Sequence, residues 1–302
     1  MPNLPRIPRV SIIVPLRRDE KLFEETLLSI LENQVDGCEI VAVHNGTYSD
    51  PFDLGDEVRF VVARSSNLVD LIRDAFPATH GGLVHVLGTG IRATPHWTAA
   101  AIDVFSDNNV AAVIPGLANQ GGVSSGWCDT AGRLCSPLRL GSAGPRSGQL
   151  RGFFLDAFFA RRRVLGNLLD AVAPAMNDPV AVGYAFGCLL QRAGGLVSDC
   201  RDSLVDASDE VDAADESDRQ RGECLAAIRS WVVQHPSPLA TLAMLKSAVL
   251  GSSSLGEMMG TMRYRGTLPA IRRAIDPHSV IGADEVSRLS GVPTFVSQRR
   301  AA

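Results

Sequence analysis

No apolar run in this chain approaches the roughly 18 residues that a membrane-spanning helix needs, so no membrane span is expected. Basic residues are not in excess either. The 29 Lys and Arg stand against 33 Asp and Glu, for a formal net charge of -4. That balance excludes a general nucleic-acid binder, which presents a basic face. The six cysteines (Cys38, Cys128, Cys135, Cys188, Cys200 and Cys224) contain no C-x-x-C pair. Reduced, mostly buried thiols in a cytoplasmic protein are the expectation. His44 and His80 lack acidic or cysteine neighbours at ligand spacing, so no zinc site is supported. The start, "MPNLPRIPRVSIIVP", has prolines ahead of its apolar run and no small-residue cleavage site, so it does not read as a signal peptide. There is no internal repeat.

What the chain does have is an apolar period that switches repeatedly between strand and helix. "RVSIIVPL" is a short apolar run stopped by Pro15, the pattern of a strand buried on both faces. The next segment sets Leu22, Phe23, Leu27, Leu28, Ile30 and Leu31 on one helical stripe with acids opposite. "CEIVAVHNG" and "VRFVVAR" read as further strands, and "SNLVDLIRDAFPAT" as a helix capped by Asn67. "LVHVL" is a fourth strand ending on Gly-Thr-Gly. "TPHWTAAAIDVFSD" is a helix and "VAAVIPG" a fifth strand. This alternation predicts an α/β protein with three layers, a mostly parallel sheet with helices on both faces. Ligands of such sheets lie outside the carboxyl ends of the strands. The tips singled out are therefore Leu16-Arg17-Arg18, His44-Asn45-Gly46 and Gly88-Thr89-Gly90.

Beyond the fifth strand the pattern loosens. From about Gly116 to Gly148 the chain is rich in Gly and Ser and reads as long loops. "PVAVGYAFGCLLQRAGG" has the look of a buried helix ending at Gly194-Gly195. Asp199 to Glu223 carries ten acids against three arginines, which reads as a solvated loop or helix face. From Cys224 onward, apolar stretches such as "LAAIRSWVV" and "LGEMMGTMRY" predict a helical C-terminal extension. The expected division is 1–223 for the sheet domain and 224–302 for the extension.

The order and spacing of these segments resemble the family-2 glycosyltransferases, nucleotide-diphospho-sugar transferases of the GT-A (Rossmann-like) fold. "VSIIVPLRRDEKLFEETLLSILENQ" is similar to the family's opening "VSIIVPxYNEExxLxxTLxSILxQ". "EIVAVHNGTYSD" sits where the family has "EIIVVDDGSTD", and "GGLVHVLGTGIRATPHW" matches the spacing of "GEYIxFLDSDDxLEPDW". Arg73-Asp74 falls where the family has an Arg-Asn pair. "FFARRRVLGNLLD" and "LLQRAGG" are similar to its later motifs, so the resemblance runs from about residue 10 to residue 200. It implies transfer of a sugar from a nucleotide-diphospho-sugar to an acceptor. It also implies nucleotide-binding roles for Pro15, Arg17, His44, Asn45, Arg73, Gly88, Thr89 and Gly90.

The departures fall on the residues that carry the family's chemistry. The two aspartates of its "DSD" hold Mn²⁺ or Mg²⁺ on the diphosphate, because hard cations take carboxylate oxygens. Here those positions are Gly88 and Gly90, so no metal cofactor is expected. The uracil-contacting aspartate falls on His44, with Asn45 beside it. An Asn amide still hydrogen-bonds a base edge. The "ED" catalytic-base pair lands on Val182-Gly183. With a loop insertion the nearest acid is Asp178, in Asn177-Asp178. A general base has to be an ionisable side chain within reach of the acceptor hydroxyl. The Gly-Thr-Gly tip offers a diphosphate bare backbone N–H groups, with Arg17, Arg18 or Arg73 adding positive charge.

Two classes stay open: a transferase with rebuilt donor binding, and a non-catalytic relative serving as a binding or scaffolding module, with a protein partner as one role. Two further motifs are weak. "GTGIRA" fits a dinucleotide fingerprint, but Pro95 interrupts the helix that fingerprint needs. "GVSSG" fits a nucleophile elbow but leads into no helix. His85 reads as a hydrogen-bonded structural histidine, and Arg161 to Arg163 as residues that cap the sheet.

Overall fold

The run that Pro15 stops is strand β1 (Val10–Pro15). It pairs in parallel with β2 (Cys38–His44) on one side and β4 (Leu83–Leu87) on the other. The structure is a computed structural model and describes residues 9–17, 19–33, 37–129, 135–139, 150–208, 218–232 and 255–263. β3 (Val58–Val62) continues the parallel set beyond β2. On the other side β10 (Ala157–Arg161) inserts antiparallel between β4 and β6 (Val110–Asn119). β11 (Leu196–Ala207) runs parallel to β6, and the short β5 (Ile91–Ala93) closes the order as β3-β2-β1-β4-β10-β6-β11-β5.

Side chains alternate across β1, and so do the two cores. Ile12 and Val14 pack with Phe23, Leu27 and Ile30 of α1 (Glu20–Glu32) and with Trp97 and Ala101 of α3 (Trp97–Val104). Ile13 faces the opposite way. Its core holds Leu68 and Ile72 of α2 (Leu68–Ala75), Leu168 of α4 (Arg162–Val172) and Phe186 of α5 (Pro179–Arg192). A sheet covered on both faces demands strands that are apolar throughout, and β1 and β4 are buried at every position. The three-layer, mostly parallel arrangement expected from the alternation is the one observed. Asn67 caps α2 as its side chain predicts, accepting from the Val69 amide at 2.9 Å. Two further helices, α6 (Asp218–Val232) and α7 (Leu255–Arg263), pack on each other; α6 runs across residue 223. No helix among the described residues is long and apolar enough to cross a membrane.

Two expectations are corrected. The Gly- and Ser-rich stretch after Gly116 is not all loop. β6 continues to Asn119, turns back through β7 (Gly122–Cys128), and β7 pairs with β8 (Ser136–Arg139) and β9 (Leu150–Gly152). The acid-rich segment begins in β11, whose Val197, Cys200, Ser203 and Val205 are buried while Arg201, Asp202 and Asp206 face solvent. Asp202 and Asp206 thus occupy the wet face of a strand, Asp218 and Glu223 belong to α6, and residues 209–217 lie outside the described residues. The weak motifs resolve in the same way: Ile91 to Ala93 is a strand where the fingerprint needs a helix, and Ser124 lies within β7.

His85 and the arginines at the start of α4 are structural. The fully buried His85 ring stacks on Phe159 with centroids 3.7 Å apart, its Nδ1 donates to the Phe158 carbonyl at 2.9 Å, and its Nε2 accepts from the Trp97 indole at 3.1 Å. Protonation would set a second N–H against that indole, and burial lowers the pKa to about 3. Arg161 bonds the carbonyls of Val110, Phe105 and Asp107, while Arg162 bonds Thr79 and lies over the Phe76 ring.

A pH dependence follows from His85. Its ordinary pKa is 6.5 and its folded value about 3, so between these values the unfolded chain binds the proton and the folded chain does not. Stability from this group is complete above pH 6.5 and is lost as pH falls toward 3. The slope is about 1.4 kcal/mol per pH unit. Urea unfolding at pH 7.0, 6.0 and 5.0 is expected to show it, and His85→Gln is expected to flatten the curve over that range. An unchanged slope in the variant would remove His85 as the source.

Candidate functional site

Parallel pairing puts the ends of β1, β2 and β4 on one edge of the sheet, and with them Pro15, Arg17, His44, Asn45, Gly88, Thr89 and Gly90. Thr89 ties two of these ends together. Its hydroxyl donates to the Pro15 carbonyl at 2.5 Å and accepts from the Arg17 amide at 3.3 Å. The neighbouring amides are also engaged. Gly88 N donates to the Asp156 carbonyl at 2.8 Å, and Gly90 N to the Thr26 hydroxyl at 3.0 Å. The bare N–H groups expected at this tip are therefore not bare at Gly88 or Gly90, because the residue before β10 and α1 each supply an acceptor.

His44 and Asn45 divide the tip of β2 between them. The His44 ring is 7% exposed and meets Tyr48 and Phe60 edge-on. Its Nδ1 accepts from the Gly46 amide at 3.2 Å, and burial lowers its pKa, so the ring is a neutral part of an aromatic cluster. Tyr48 in that cluster is pushed up to about 12 by burial and nearby acids. Asn45 is exposed. Its Oδ1 accepts from the amide and hydroxyl of Thr47, which leaves its NH₂ group pointing no bond at the protein among the described residues. Arg73 pairs with acids of its own helix, with Asp70 at 2.8 Å and Asp74 at 3.7 Å. Arg18 lies outside the described residues.

The sequence reading passed over Asp156. It directly precedes β10, and because β10 is antiparallel to β4 the Ala157↔Leu87 pairing brings it against Gly88. A Cβ at Gly88 would lie 2.8 Å from Asp156 Oδ1 and 2.9 Å from its Cβ. The carboxylate thus fills the space that the family's first metal-binding aspartate would need. Arg17 Nη1 stands 3.7 Å from Asp156 Oδ1, with side-chain exposures of 12% and 28%. Burial raises the Asp156 pKa above the ordinary 3.8, and the Arg17 charge pulls it back. The sequence signal for it was available: one acid inside "GFFLDAFF", where no other polar side chain stands.

The residues at the tip do not fit a divalent cation. Gly88 and Gly90 bring no side-chain oxygen, and the one carboxylate present already faces a guanidinium. Among the described residues no group of three or more His, Cys, Asp or Glu is arranged to hold a metal.

The position where the resemblance places a catalytic base is occupied by backbone. Gly183 lies within α5, and a Cβ there would meet the Phe153 carbonyl oxygen. The Phe153 amide in turn donates to the Gly183 carbonyl at 2.9 Å. The Trp127 Nε1 lies beside this contact, buried and without an acceptor. One turn earlier Asp178 caps α5. Its Oδ1 accepts from the Ala181 amide at 2.7 Å and its Oδ2 from Arg221 Nε of α6 at 3.0 Å. Asp178 is fully buried and Arg221 nearly so. A cleft of about 480 Å³ opens between the start of α1, β5 and the end of β11, lined by Asp19, Glu25, Arg92 and Asp206 among others; no candidate residue lines it.

No protein-family model matches the sequence, and no curated protein does. Solved structures do match. GalNAc-T7 with UDP, GalNAc and Mn²⁺ superposes with a TM-score of 0.55 at 12% identity, covering 86% of this chain. This chain spans 59% of the length of that one. S. aureus TarS 1-349 in complex with UDP gives a TM-score of 0.50 at 13% identity, covering 80% of this chain and 70% of that one. Likeness at this level shows the fold, and the fold is that of the GT-A nucleotide-sugar transferases.

Returning the family's acids is expected to cost stability. Gly88→Asp sets a side chain into the Asp156 carboxylate, and Gly183→Asp drives one into a backbone carbonyl. Each is expected to lower the unfolding free energy by about 1–3 kcal/mol or more, the usual penalty of overpacking. Denaturant titration of the single variants measures this. A Gly88→Asp protein as stable as the parent would mean that Asp156 does not sit on Gly88.

Proposed function

We propose that this protein is a degenerate relative of the family-2 glycosyltransferases. In this reading it binds a nucleotide-diphospho-sugar at the tips of β1, β2 and β4 without a divalent cation, and serves as a binding module and not as a sugar transferase. The observation that carries the proposal is the contact between Gly183 and the Phe153 carbonyl, which leaves no room for a base where the resemblance places one. Nucleotide binding is supported by the exposed Asn45 amide and by Arg17, which flank the tip. Pro15, His44, Gly88, Thr89, Gly90 and Arg73 complete the site in this reading. The relatives with bound UDP named above support the ligand class. Residues 1–223 carry the nucleotide in this proposal, and the extension 224–302 offers a surface for a protein partner. The exposure of Leu255 and Met259 on α7 favours that role. The buried thiols fit a reducing, cytoplasmic setting.

The second reading keeps the chain a transferase with Asp178 as a displaced base. It is favoured by one observation: Asp178 caps the helix that carries the base in the resemblance. Against it stands the Arg221 pair, which this carboxylate would have to leave before it accepts a proton.

A thermal-shift screen with UDP, GDP, CDP and TDP sugars, with and without Mn²⁺, tests the binding claim. One sugar nucleotide is expected to stabilise the protein equally in both conditions. At 100 times its Kd it adds about 2.7 kcal/mol. Transfer assays on the same panel are expected to show no turnover, and the double variant Gly88→Asp, Gly90→Asp none either, since a base normally contributes about 10²–10⁴-fold. Turnover by the unaltered protein that Asp178→Asn abolishes would overturn the non-catalytic reading.

A further inference from the structure

The geometry points to Asp156 as an internal counter-ion that occupies the anion position of Arg17, so that a diphosphate reaching the sheet edge has to displace it; this rests on the nucleotide-binding reading above. Three observations converge on it. The carboxylate stands where the family's tip carboxylate is missing, in space that exists only because residue 88 is glycine. Among the described residues, Arg17 is the one charged side chain acting on it. At 3.7 Å the pair is an electrostatic contact and not a hydrogen bond, so neither partner gains the directional bonds that a guanidinium makes to a phosphate.

The remaining groups at the tip set the balance between the two anions. The Gly88 and Gly90 amides already have acceptors, so among the described residues of this tip the charged donor that an anion meets is the Arg17 guanidinium, beside Asp156. A diphosphate that engages Arg17 comes up against the Asp156 carboxylate, and like charges brought together across an interface oppose binding. In the metal-dependent relatives of this fold, a cation between carboxylate and diphosphate would remove that opposition. Here, among the described residues, no second carboxylate joins Asp156 to hold one. Asp156 therefore makes the site selective: only a ligand whose nucleoside or sugar adds contacts elsewhere along the strand tips offsets the repulsion, and free inorganic anions are excluded.

Calorimetric titration of UDP and of inorganic pyrophosphate, in metal-free buffer and again with Mn²⁺, tests this on the full chain. The proteins are the parent, Asp156→Asn, Asp156→Ser and Arg17→Gln, each first checked for folding by circular dichroism. Asp156→Asn keeps the shape and removes the charge. It is expected to tighten UDP binding about tenfold and to admit pyrophosphate. Arg17→Gln is expected to weaken UDP in the parent background. Asp156→Ser serves as the second neutral variant should the Asn protein fold poorly. Binding by a neutral variant where the parent is silent supports the inference. UDP binding that is unchanged or weaker in both neutral variants overturns it and leaves the nucleotide reading standing. Mn²⁺-enhanced binding that disappears with Asp156 also overturns it, by making Asp156 a metal ligand. Silence in all four proteins removes the nucleotide reading, and this inference with it.

Discussion

The antiparallel contact of β4 with β10 governs the whole edge. In a purely parallel sheet, the residues beyond each strand's carboxyl end are the only ones at that edge. Inserting β10 in the opposite sense makes its beginning coincide with the end of β4, at the Leu87↔Ala157 pairing. The segment that enters β10 must then cross the tip, and its first contribution there is Asp156. Gly88, the Arg17 pair and the Gly183 contact with Phe153 all trace back to that crossing, because Phe153 to Asp156 is a single short stretch of chain. Glycine at 88 and at 183 is what lets this stretch pass close on both sides.

The loss of acids thus looks different in three dimensions from its look in one. Read along the chain, the carboxylates that the resemblance implies are absent from positions 88, 90 and 183. In space, another carboxylate stands against Gly88 and a main-chain carbonyl against Gly183. The charge at the tip is an ion pair inside the protein. The Asp178 carboxylate is likewise engaged inside the protein, in a helix cap and an ion pair with Arg221. Recruiting Asp178 for chemistry would carry a cost, since it breaks an ion pair whose carboxylate is fully buried.

Much of the fold was legible because burial on both faces writes itself as unbroken apolar runs, and β1, β2 and β4 are such runs. Asn67 announced its helix by chemistry, and Trp97 and Phe105 marked the ends of another. Legibility failed where composition and period disagreed. Gly122 to Cys128 is poor in branched residues, yet its ladder is made by backbone groups that composition does not report. Asp199 to Ala207 counted as an acid run, while its period of two, with Ser203 and Val205 inward, was the signal that mattered. At the site, the strand tips could be named from the alternation alone. Asp156 could not, because its place depends on a long-range antiparallel pairing. Nor could the engagement of the Gly88 and Gly90 amides, since their acceptors come from residues far away in the chain.

The ion pair between Asp178 and Arg221 also bears on where this chain can be cut. Arg221 lies on α6, the first helix beyond β11, and Asp178 is fully buried beneath it. A fragment ending after β11 would keep the carboxylate and discard its cation, at a cost of about 3–5 kcal/mol, a large share of the stability of an ordinary domain. A fragment ending at residue 223 would keep Arg221 on a helix severed after its first turns. The sheet and this helix are therefore one unit of folding, and any shortened form of the protein has to carry α6 whole.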